Sequence, residues 1–274
     1  MNEDLPNQNQ QDETEWQPPP PPEEIRKTDE PPQMSEFGTL GSIFFEPGAT
    51  FEDLRRKPRF ILATVIISLL IMGYGFAFYY KIGEDNFRTF FAQQIDKSPQ
   101  GQAVPAEQKN KRVDLNMTIG SVVRFLMPVL VILTFAIGGL IYWLAIKMMG
   151  GAANYWHGVS AWVYSSFPPA LVSTLANFII LIIKPVDEID IATGQRTLLH
   201  ANPSFFINIS ESPVLATLLG TFDLFLIWGW ILAAIGLQKI GKISSGSAWG
   251  IVLILALVSL TSRILLALMS GTPM

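Results

Sequence analysis

Asp223 and Arg263 interrupt two otherwise apolar stretches in the last quarter of the chain, and Arg124 stands near the edge of another. A charge near the centre of ~30 Å of hydrocarbon costs ~2.5–3.5 kcal/mol on an insertion scale, so it is kept for a partner or for a task. Two chemistries fit Asp223 and Arg263. They can neutralise each other as an ion pair that packs two helices together, or they can mark the polar path of a small transporter or channel subunit. Counted from the outer helix ends at ~1.5 Å per residue, Asp223 lies ~15 Å deep and Arg263 ~10 Å, a difference that an arginine stem spans. Thr217, Gly220 and Thr221 accompany Asp223, and Ala256, Ser259 and Ala267 lie in line with Arg263. Small residues of this kind let membrane helices approach closely.

Other chemistries find little to work with. The chain has no cysteine, which removes disulfides, iron–sulfur clusters and a thiol nucleophile. His157 and His200 are its two histidines, too few for a histidine-rich metal site. Asp187, Glu188 and Asp190 follow no calcium-loop spacing. No phosphate-binding loop, Gly-x-Ser-x-Gly elbow, His-Glu-x-x-His pair or dinucleotide fingerprint is present. A non-enzymatic protein without cofactor or metal is expected, and nucleic acid is not expected among its partners.

The elements that must position these residues are membrane helices. Of 274 residues, 49% are hydrophobic and 15% charged, and the apolar ones come in long blocks. The expected fold is all-α: a polytopic membrane helix bundle with five transmembrane helices at about 60–80, 122–146, 157–183, 213–237 and 248–270. Residues 37–274 form this membrane domain. Residues 1–36, rich in Pro, Gln and Glu with ten acidic and two basic side chains, form a disordered cytoplasmic tail.

Direction is read from the first entrance. Arg55, Arg56, Lys57 and Arg59 crowd it as a topogenic cluster, which holds that side in the cytoplasm. The chain then starts inside and ends outside. Thr50 and Asp53 form a capping box for a short interfacial helix that Pro58 stops, with Phe51 and Leu54 on one face. Tyr79 and Tyr80 mark the far headgroup level, and Trp143, Trp156, Trp162 and Trp249 cluster in the cytoplasmic half.

Between the spans, Phe87, Phe90, Phe91 and Ile95 recur at helical spacing, and Pro105 opens a separate polar helix from about Ala106 to Leu115. Pro168 and Pro169 remove two backbone donors in the third span and predict a kink, with Ser165 and Ser166 placed to satisfy freed carbonyls. Thr193-Gly194 suggests a hairpin turn. Ser212 and Pro213 suit the start of the fourth span. The partners expected are the lipid bilayer and proteins met by the tail or the membrane helices, further copies of the chain included.

Phe45-Glu46-Pro47-Gly48-Ala49-Thr50-Phe51 before Leu54-Arg55-Arg56-Lys57-Pro58 resembles the start of bacterial members of the Yip family, the Ypt/Rab-interacting-protein domain. Tyr164-Ser165-Ser166-Phe167-Pro168-Pro169, Ile227-Trp228 and Ile243-Ser244-Ser245-Gly246-Ser247-Ala248 are similar too, and the resemblance covers roughly Gly41 to Met269. It implies five membrane helices and, for a bacterial member, the cytoplasmic membrane. Eukaryotic relatives act in vesicle trafficking and contact small GTPases. The Asp-Leu-Tyr-Gly-Pro stretch associated with them is missing before the first span here, so no functional residue carries over.

Overall fold

A computed structural model describes residues 31–97, 104–206 and 213–270, and every regular element among them is helical. In chain order these are α1 (Glu36–Phe45), α2 (Pro47–Arg56), α3 (Ile61–Ile82), α4 (Glu84–Lys97), α5 (Ala106–Met148), α6 (Tyr155–Ile183), α7 (Ile191–Gly194), α8 (Pro213–Gly220), α9 (Leu224–Gly241) and α10 (Ser245–Ser270). Single 3-10 turns at Val186–Glu188 and Pro203–Phe206 flank α7. Helices α3, α5, α6, α9 and α10 are long and apolar enough to cross a bilayer, so the five-span bundle read from hydropathy is what forms. The disordered-tail reading for residues 1–30, and Ser212 at the expected start of the fourth span, lie outside the described residues.

The spans alternate in direction and give the bundle two ends. One, the cap end, gathers α1, α2 and the tight turns between α5 and α6 and between α9 and α10. The other, the loop end, carries α4, the start of α5 and the segment from α6 to α8.

Several boundaries differ from expectation. The polar helix from Ala106 is not separate from the second span: α5 is one 43-residue helix. At ~1.5 Å per residue it is ~64 Å long, twice the hydrocarbon thickness. Ala106 to Ile119 contains no glycine or proline, and a change from polar to apolar side chains does not interrupt backbone hydrogen bonding. Its first turns lean on α4 through Arg88–Asp114 at 2.7 Å and Lys109–Asp96 at 2.5 Å. The fourth span is broken where hydropathy ran on: α8 stops at Gly220 and α9 begins at Leu224. Thr193-Gly194 ends the single-turn helix α7, capped by Asp190, and no hairpin forms there.

The entry segment also packs differently. Thr50 is interior to α2, which starts at Pro47 after Glu46, and its hydroxyl bonds Ser42 and the Glu46 carbonyl. Thus the Thr50/Asp53 capping box is not made. The pair α1–α2 is wedged into the bundle, with Ile43, Phe51 and Leu54 fully buried beside Tyr164, Leu237 and Ile240. Burying Phe51 and Leu54 contributes about 1.5–3 kcal/mol each. Phe44 reaches Phe167 and Trp228, at ring distances of 6.2 and 6.1 Å, roughly 18 Å along α6.

Close backbone approach holds α5 against α6. A Cβ on Gly158 would lie 2.2 Å from the Gly139 carbonyl, and one on Gly139 would lie 2.6 Å from Val159 Cα. The Gly138-Gly139 pair is therefore a packing surface of the sort membrane helices favour.

Candidate functional site

The four basic residues of the entrance have unlike surroundings. Arg59 is buried, donating to the Asp53 carboxylate and to the Met34 carbonyl. Asp53, 2% exposed, also accepts from Gln33 N–H at 2.5 Å. Arg55 pairs with Glu52 at 2.5 Å, Arg56 is half-buried and Lys57 is exposed. Gln33 and Met34, assigned to the tail by composition, are thus tied to the membrane domain, and Ser35 caps α1. A desolvated Arg–Asp pair needs further hydrogen bonds, and residues 33–34 supply two, one to each partner, while Arg59 Nε is buried without one.

His157, too isolated for a metal site and placed by hydropathy at the start of the third span, sits at this junction. Asn154 and His157 form a reciprocal cap at the start of α6. With Nδ1 accepting from Asn154 N–H, Nε2 carries the proton and donates to the Arg55 carbonyl at 2.9 Å. That tautomer follows from the hydrogen-bond network. The Asn-x-x-His spacing was a visible signal of the cap. The contact with Arg55, 102 residues away, had none.

Asp223 caps α9, accepting from Phe225 N–H at 2.9 Å and Leu226 N–H at 3.3 Å, with Asn202 Nδ2 3.4 Å away. Arg263 is half-buried on α10. Among the described residues no ion pair joins the two, because the Asp223 carboxylate already serves the orphan donors of a helix start. Pro168 and Pro169 are buried inside α6, which continues as one helix through both. Ser165 and Ser166 both donate to the Trp162 carbonyl at 2.9 Å, two residues short of the carbonyls the prolines free. Gly229 of α9 fits beside the Ser165 carbonyl and Pro169.

At the loop end, Asn177 does what no pattern announced. Its Oδ1 accepts from Leu198 N–H at 2.6 Å and Leu199 N–H at 2.9 Å, and its Nδ2 donates to Ser173 O. Tyr74 donates to the Gly194 carbonyl at 2.9 Å. Together they fasten the segment after α7 onto the bundle.

Between α3 and α5 at the same end lies a cleft of about 330 Å³. Arg124 lines it with its guanidinium 3.9 Å from the centroid of the Tyr79 ring, and Tyr80, Thr118 and Ser121 share the lining. Phe76 and Phe125, ring to ring at 5.0 Å, form its apolar wall. Glu84 also borders it, but its carboxylate is engaged by Arg88 at 2.9 Å.

The Yip1 domain matches residues 41–266. The chain is 28% identical over 216 residues to "Membrane protein YknW" of Bacillus subtilis (strain 168), which covers 77% of this chain and 82% of that protein. No solved structure is significantly similar.

Proposed function

Since the chain belongs to the Yip1 domain family of membrane proteins, we propose that it is a non-enzymatic integral membrane protein acting through contacts with lipids and other membrane proteins, in membrane organisation or a trafficking-like role. One observation carries this reading. Asp223, which first suggested chemistry, caps a helix, and what the bundle leaves uncovered is apolar helix surface. In its membrane window α10 is 17% buried against 39% for α9, and Leu253, Leu257 and Val258 stand on its open side. Asp223, fixed at a helix start, is withdrawn from the transport path that it would have to line.

The orientation belongs to the same proposal. Arg55, Arg56, Lys57, Lys147, Lys239 and Lys242 all flank spans at the cap end, and loops so enriched stay cytoplasmic. At the loop end, Arg88, Lys109 and Lys111 are each ion-paired on helices that project beyond the spans. The amino terminus then faces the cytoplasm, in a bacterial cytoplasmic membrane.

A photo-crosslinking side chain tests the contact role. Placed at Leu257 in native membrane, it is expected to capture lipid or a second protein; at fully buried Leu237 it should capture only its own chain. Equal intermolecular yield from both positions would overturn the reading.

A further inference from the structure

We propose that the cleft between α3 and α5 is a binding site for the phosphate of an anionic phospholipid headgroup, with Arg124 as its principal ligand. Depth is the first argument. Twenty-four residues separate Arg124 from Met148 at the cap end of α5, ~36 Å at 1.5 Å per residue. With ~30 Å of that in hydrocarbon, the guanidinium stands at the phosphate level of the opposite leaflet. Tyr79 and Tyr80, at the end of α3, belong to the same level.

Charge is the second argument. Among the described residues Arg124 meets the face of Tyr79, and its Nε is buried without a hydrogen-bond partner there. The acid that borders the cleft, Glu84, is taken by Arg88. An arginine whose planar fork of donors meets no carboxylate, held in place by a ring, is preorganised for the oxygens of a phosphate.

Shape is the third. Thr118, Ser121 and Arg124 recur on one face of α5, one turn apart. Thr118 donates to the Asp114 carbonyl, which leaves its oxygen as an acceptor for a glycerol hydroxyl of the headgroup. Ser121 lines the cleft one turn before Arg124, and a hydroxyl is a donor suited to a phosphate oxygen. Phe76 and Phe125 form a wall against which an acyl chain can lie. This deepens the lipid-contact reading and rests on it.

Native mass spectrometry of the full chain in mild detergent, titrated with phosphatidylglycerol, phosphatidylcholine or inorganic phosphate, is the test. The wild type should bind phosphatidylglycerol at least tenfold more tightly than phosphatidylcholine. Arg124→Gln should abolish that preference, while Arg263→Gln, which changes another half-buried arginine, leaves it intact. Binding of inorganic phosphate with the same dependence on Arg124 would uphold the anion site and assign it to a soluble ligand. If Arg124→Gln matches the wild type, or both arginine variants lose equally, the site is refuted. Should Arg124→Gln fail to fold, Ser121→Asp places a carboxylate in the cleft and must remove the preference; unchanged binding then refutes the site. Loss of the preference's Arg124 dependence with Leu257 crosslinks intact sinks this site alone, whereas loss of those crosslinks sinks the broader role.

Discussion

Asp53 and Arg59 form an ion pair sealed in the cap end, with 2% and 8% of their side chains exposed. Six residues apart, they close the turn between α2 and α3, and they reach Gln33 and Met34 on the far side. Removing one partner strands the other in a poor solvent. Asp53→Leu should therefore destabilise by about 3–5 kcal/mol, and joint replacement by Asp53→Leu and Arg59→Met by clearly less. Thermal unfolding in detergent checks this, and a double variant no better than the single one contradicts it.

Gly158 should tolerate no side chain. Its Cβ would meet the Gly139 carbonyl at 2.2 Å and Trp143 at 2.9 Å, so Gly158→Ala must push α5 from α6 at a cost of about 1–3 kcal/mol. Gly250 on α10 has nothing within 4 Å of that position. Gly250→Ala is expected to be neutral or stabilising by about 0.5–1 kcal/mol. A melting series that ranks the two the other way would contradict the packing.

For Asp223 the expectation is a lost cap. Asp223→Ala should destabilise by about 0.5–2 kcal/mol. Combined with Arg263→Leu, the effects should add within about 0.5 kcal/mol, since the two side chains share no bond. A coupling well above that in a double-mutant cycle would restore the ion pair that spacing suggested.

Asn177→Leu leaves Leu198 N–H without its acceptor and Leu199 N–H with Thr197 Oγ1 alone, at 3.1 Å. Unsatisfied donors of this kind cost about 1–3 kcal/mol. Hydrogen exchange at Leu198 and Leu199 should accelerate while exchange in α9 stays slow. Unchanged protection at both amides would show that Asn177 does not hold the segment.

Topology can be read with single cysteines, because the chain has none of its own. Ala152→Cys, exposed in the turn between α5 and α6, should react with a membrane-impermeant maleimide only after the cells are opened. Glu188→Cys, exposed at the loop end, should react in intact cells. The reverse pattern means an inverted protein.

The number and rough placement of the spans are properties of short stretches. A helix of about 20 apolar residues satisfies its own backbone and matches the bilayer by itself, so α3, α6 and α10 were legible without reference to the rest of the chain. Periodicity likewise exposed α4, since Phe87 and Ile95 needed only a common face. What tertiary structure decided is where each polar group finds its partner. Asp53 read as half of a capping box and Arg59 as one of a topogenic cluster until α1 folds back and brings Gln33 and Met34 over them. Asp223 read as a mid-span charge because hydropathy sums transfer energies and does not weigh a helix start against a continuous helix. Asn177 and Leu198 meet only because α6 and the following segment fold together. The Arg124 cleft exists because α3 brings Tyr79 beside α5, a meeting of two spans that hydropathy, which scores each span alone, cannot contain.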